Sequence, residues 1–128
     1  MIYMAFDKKL IRYRGKPVTT RYDNIRNPDF RPQIRVQALD PLNSGDYGPI
    51  QIVFDLYNQR DPRKSKPLAF ANLDIHQAED LISELLKALS VLDYIRTPEE
   101  IIRSIIAKIQ PWYYRNRRKI ELGQAVEG

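Results

Sequence analysis

The hydrophobic pattern of this chain changes character at Asp74. Before it, apolar and polar residues alternate in short runs; after it, apolar residues recur every three or four positions. Ile50, Ile52, Phe54 and Leu56 alternate with Gln51, Val53, Asp55 and Tyr57, the period of a half-buried strand. Gln33–Leu39 alternates likewise, with Ile34, Val36 and Ala38 on one side and Arg35 and Gln37 on the other. Further short strands are expected over Ile2–Phe6, Leu10–Tyr13, Val18–Tyr22 and Leu68–Leu73. Arg14-Gly15-Lys16 and Gln59–Lys66 read as turns, and Asp23–Pro32 and Asp40–Pro49, rich in Asn, Pro and Gly, as loops.

Two helices follow. Asp74 can cap the first, with Gln77 completing a capping box. Its stripe is Ile75, Ala78, Ile82, Leu85, Leu89 and Leu92, widened by Leu81 and Leu86, and Glu79, Asp80, Glu84 and Lys87 lie opposite. That stripe is wide enough to cover a sheet and still offer apolar surface to a second subunit. Thr97-Pro98-Glu99-Glu100 announces the second helix, with Thr97 as cap, Pro98 first in the helix and Glu100 as box partner. Ile101, Ile102, Ile105, Ile106 and Ile109 form its buried side, and Pro111 is expected to end or kink it. The segment beyond opens Trp112-Tyr113-Tyr114 and continues with Arg115, Arg117, Arg118 and Lys119.

These elements predict an α+β fold: an antiparallel sheet of four to six strands, packed on one face by two C-terminal helices. Residues 1–123 form a single domain, β-rich over 1–73 and helical over 74–123, and residues 124–128 are expected to fray.

Composition narrows the chemistry. With 128 residues, 43% hydrophobic and 29% charged, the chain has enough material for one core. No apolar run approaches the roughly 18 residues of a membrane span, and Met1–Phe6 is too short for a signal peptide, so a soluble, cytoplasmic protein is expected. The absence of cysteine excludes disulfides, thiolate metal sites and cysteine nucleophiles, and the single His76 leaves no histidine cluster. Nothing calls for a cofactor or a metal.

The net charge of +5 is unevenly spread. Lys8 to Arg35 holds nine Lys/Arg against Asp23 and Asp29, whereas Asp74 to Glu100 holds seven acids against Lys87 and Arg96. Such polarity suits an anionic partner. Two groups could grip one. The turn carries Arg60, Arg63, Lys64 and Lys66. The N-terminal region interleaves Arg12, Arg14, Lys16 and Arg21 with Tyr13 and Tyr22, and unpaired nucleic acid is held by cations on its backbone and aromatic faces on its bases. The plainer readings are a solvated turn and tyrosines that pack. A metal-dependent nuclease would need a carboxylate cluster. Asp40 and Asp46 lie in a turn-rich loop and Asp55 is expected on the solvent side of its strand, so the reading is non-catalytic. The Trp112 cluster admits nucleic-acid contact, partner binding or aromatic core.

The stretch PIQIVFDLYNQRDPRKSKPLAFANLDIHQAEDLISELLKAL, Pro49 to Leu89, resembles the Whirly-like superfamily of single-stranded DNA-binding proteins, which includes the positive-coactivator regulators. The resemblance implies a curved sheet that takes unpaired DNA, and a helix through which subunits pair. It would put Arg60, Arg63, Lys64 and Lys66 on a DNA-contacting loop, Arg35 and Tyr57 on a strand face, and Leu81, Leu85, Leu89 and Leu92 at a dimer interface. The second helix and the aromatic-basic segment depart from that family. The expectation is therefore a non-catalytic, oligomeric binder of single-stranded DNA or RNA. The alternative is a protein-interaction or assembly module that binds through the helix stripe and Trp112.

Overall fold

The computed structural model describes residues 11–20, 29–41 and 48–128. Among these the chain forms a six-stranded mixed sheet followed by two helices, an α+β architecture. The strands are β1 (Ile11–Arg14), β2 (Val18–Thr19), β3 (Phe30–Leu39), β4 (Ile50–Asn58), β5 (Lys66–Leu73) and β6 (Val126–Glu127). The order is β5-β4-β3-β1-β6, with β2 also pairing β3. Every pairing is antiparallel except β1 with β6, which is parallel. The helices are α1 (Ile75–Leu92) and α2 (Pro98–Glu121). Ile2–Phe6, Arg21 and Tyr22 lie outside the described residues.

Both helix starts follow their sequence grammar. The Asp74 carboxylate accepts from the Gln77 amide at 2.8 Å while the Asp74 amide donates to Gln77 Oε1 at 3.0 Å. Thr97 and Glu100 form the same reciprocal pair. Gly15 closes the tight turn after β1. Its N–H donates to Val36 O at 2.8 Å, and a Cβ built there would come within 2.5 Å of that oxygen, so only glycine fits. Gly123, at φ +69°, ends α2 in the left-handed region that favours glycine.

The structure departs from the sequence reading in four places. α2 does not end at Pro111 but runs through it to Glu121. A proline there removes one hydrogen bond, a cost of about 3 kcal/mol in a helix interior, which the capping box and the docking of Trp112 help to offset. The β3 strand starts at Phe30 and includes Pro32. Pro32 falls opposite Thr20, past the end of β2, where no amide is required of it. Val126–Glu127 do not fray; they pair with Tyr13 and Arg14.

The fourth departure concerns which side of the sheet is covered. Register puts Ile34, Val36, Ile52, Phe54, Ala69 and Ala71 on one face, and Arg35, Gln37, Gln51, Val53, Asp55 and Asn72 on the other. The apolar face is the more open: Phe54 is 38% exposed, whereas Gln51 is 1% exposed and Val53 is buried. Asp55 therefore points away from solvent. Alternation identifies residues that share a face; it does not say which face is covered.

Packing of the helices is sparse. Among the described residues Leu39, Val53, Ile101 and Val126 are the buried apolar ones, and α1 buries none of its own. Tyr13 pairs with Ala38 and therefore faces the apolar side of the sheet. Trp112 of α2 packs on Tyr13, which ties α2 to the β1 edge of the sheet. The stripes of both helices nevertheless stand open. Ile82, Leu85 and Leu92 in α1 are 64%, 58% and 81% exposed, and Ile102, Ile105, Ile106 and Ile109 in α2 are all more than a third exposed. Leu81, Leu89, Val91 and Ile95 are exposed as well, so both helices present extensive apolar surface.

Candidate functional site

The hairpin between β4 and β5 is an ordered turn, and Asn58 is the residue that orders it. Asn58 is buried, its Oδ1 accepts from the amides of Arg60 and Asp61 at 3.0 Å each, and its own amide donates to Ser65 Oγ at 2.9 Å. Asp61 then caps a single 3-10 turn, Pro62–Lys64, by accepting from the Arg63 amide at 3.2 Å. The Asp-Pro pair thus sets the local backbone. Arg60, Arg63, Lys64 and Lys66 are all exposed at this end of the sheet, together with Arg31, the register partner of Tyr57. Lys66 Nζ sits 5.6 Å from the Phe30 ring. Two of the cations have acidic neighbours, Asp61 at 3.0 Å from Arg63 and Asp29 at 3.9 Å from Arg60. Both arginines remain more than four-fifths exposed, so these pairs are weak and exchangeable.

Two other sequence-predicted cations are engaged within the fold. Arg12 pairs with Asp40 at 2.9 Å. Arg35 pairs with Asp55 at 3.3 Å, within a polar row on the covered face where Gln37 Nε2 donates to Gln51 Oε1 at 2.6 Å. Four buried polar atoms of this row, Arg35 Nε, Gln51 Nε2, Asp55 Oδ1 and Asn72 Oδ1, lack a protein hydrogen bond. Burial raises the Asp55 carboxyl above its ordinary value, and the Arg35 guanidinium pulls it part of the way back.

The sign of that shift fixes a pH effect. A raised native value means that the folded chain favours the neutral carboxyl. The stabilisation is fully present below the ordinary aspartate range and is lost as pH rises through the raised value. Thermal midpoints of the wild type and Asp55→Asn, compared from about pH 3 to pH 8, should diverge in the variant's favour as pH rises through that window. Parallel profiles would show that Asp55 does not titrate in this way.

Tyr13 is not a free stacking surface. Its ring meets Trp112 edge to face, with centroids 5.5 Å apart and planes at 80°, and the indole Nε1–H donates to Glu127 O at 2.6 Å. This pair forms part of the wall of an open groove of about 510 Å³, which Lys16, Lys108, Ile109, Arg115 and Gly128 also line. The sequence reading includes Tyr13 and Lys16 as contacts and keeps Arg115 in the Trp112 cluster, for which nucleic-acid contact is one option, but does not single out Lys108. Lys108, Trp112 and Arg115 stand at i, i+4 and i+7, a signal that exists only if the helix continues through Pro111.

The cations thus divide into the hairpin end and the α2 groove, with Arg14 exposed at the end of β1. Leu81, Leu85, Leu89 and Leu92, the expected interface, lie on the open face of α1. Among the described residues there is no cluster of metal-ligating side chains and no helix long and apolar enough to cross a membrane. No family model matches the chain, and neither a curated protein nor a solved structure matches it.

Proposed function

We propose that this chain is a non-catalytic, sequence-tolerant binder of single-stranded DNA or RNA that works as a homo-oligomer. The observation that carries the reading is the hairpin end, where Arg31, Arg60, Arg63, Lys64 and Lys66 stand in solvent on a backbone already fixed by Asn58 and Asp61. A rigid cationic end loses little freedom when it meets phosphates, and Phe30 beside Lys66 on one sheet face and Tyr57 beside Arg31 on the other supply aromatic rings at this end. The likeness of Pro49–Leu89 to Whirly-like proteins supports the same reading. Absence of cysteine suits a reducing, cytoplasmic setting.

Self-association rests on the helices. A stable interface takes about 800 Å² from each partner, and the exposed apolar residues of α1 and α2 are the surface on which one would form. The two helices carry opposite net charge, with Glu79, Asp80 and Glu84 against Lys87 in α1 and Arg117, Arg118 and Lys119 against Glu121 in α2; the α1 acids lie opposite the stripe, so they bear on the approach of two copies and not on the apolar contact itself. The same surface also supports the alternative, an assembly module that binds a different protein.

The test is fluorescence anisotropy with labelled single- and double-stranded oligonucleotides over a series of salt concentrations. Binding should prefer single strands and fall with salt by about 0.7 log units per tenfold salt for each phosphate held. Arg63→Glu with Lys64→Glu should flatten that slope by at least about 1.4, the contribution of two phosphates. Absence of binding at low salt would reject the reading and leave the assembly module in its place.

A further inference from the structure

We infer that the groove between the β1 turn and α2 is a nucleotide site, taking an aromatic base against Trp112 and phosphate on Lys16, Lys108 and Arg115. The inference deepens the proposed reading, because a free nucleotide and a nucleotide within a strand share this chemistry. It also stands on observations separate from the hairpin. The indole is held by its bond to Glu127 O and by its perpendicular contact with the Tyr13 ring, so its orientation is set before any ligand arrives. Three cations of two different elements line the same space, and none has an ion-pair partner among the described residues. No carboxylate side chain lines the groove among the described residues. An aromatic wall flanked by uncompensated cations fits a ligand that is planar and apolar at one end and anionic at the other. A simple anion would leave the indole unused, and an apolar ligand would leave three charges uncompensated.

Trp112 is the single tryptophan of the chain, so intrinsic fluorescence reports on this groove. The full chain would be titrated with ADP, adenosine and inorganic phosphate, and separately with fluorescently labelled ADP followed by anisotropy. ADP should change Trp112 emission saturably, with adenosine and phosphate each at least tenfold weaker. Lys108→Glu with Arg115→Glu should weaken ADP at least tenfold with the fold intact by circular dichroism, whereas Arg63→Glu with Lys64→Glu should leave it unchanged. If neither Trp112 emission nor labelled-ADP anisotropy responds, or if the groove variant binds as the wild type does, the site is overturned. The two proposals separate cleanly. Oligonucleotide binding that depends on the hairpin without an ADP response removes the groove alone. An ADP response without oligonucleotide binding keeps the groove and removes the strand-binding reading.

Discussion

Leu85→Asp in α1, or Ile105→Asp in α2, is expected to abolish the self-association proposed above. Leu85 is 58% exposed in the single chain, so its replacement there is the milder of the two, whereas Ile105 at 40% also loses some contact within its own chain. In an assembled face the introduced carboxylate would be buried without a partner, which costs several kcal/mol. At about 1.4 kcal/mol per tenfold, association should weaken by a hundredfold or more. Sedimentation velocity across a wide concentration range reads this directly, and circular dichroism checks that the helices persist. A wild-type chain that sediments as a monomer at every concentration would sink the homo-oligomer. Leu85→Ala should produce the same change in smaller measure, separating loss of apolar contact from insertion of charge.

Ile101→Ala should have the largest effect on stability within one chain. Ile101 lies in the first turn of α2 at 2% exposure, in a molecule with few buried apolar side chains among its described residues. Truncating a fully buried isoleucine to alanine costs about 2–5 kcal/mol, a large share of the 5–15 kcal/mol by which a domain of this size is stable. The thermal midpoint should fall by roughly 10–20 °C. Ile106→Ala, one turn further along the helix and 41% exposed, is the control. Its cost should be small in dilute protein and grow with concentration as the face becomes covered. Equal losses in the two variants, independent of concentration, would mean that Ile106 is already covered within its own chain.

Local rules carried most of the fold. The capping residues Asp74 and Thr97, the alternation of β3 and β4, and the turns at Gly15 and Asp61 are written in neighbouring residues and need no tertiary information. What escaped depends on distant parts of the chain. The pairing of Val126–Glu127 with β1 is parallel and spans more than a hundred residues, so no local pattern announces it. The burial of Asp55 depends on which face of the sheet is covered. The hairpin cations were legible because one turn holds them all. The α2 groove was not, because Pro111 leaves open from sequence whether the helix ends or bends there, and the shared face of Lys108 and Arg115 exists only if it continues.

That proline has a mechanical consequence. The hydrogen bond missing at Pro111 would have reached back to Ala107, across the turn that brings Lys108 to the groove, while Trp112 and Arg115 lie just beyond it. The most compliant step of α2 thus falls between the two cations that it contributes. Bending there changes the distance from Lys108 to Arg115 without breaking any further backbone bond. If the groove takes a nucleotide as proposed, its span would adjust at this step to bases of different size while Trp112 stays bonded to Glu127.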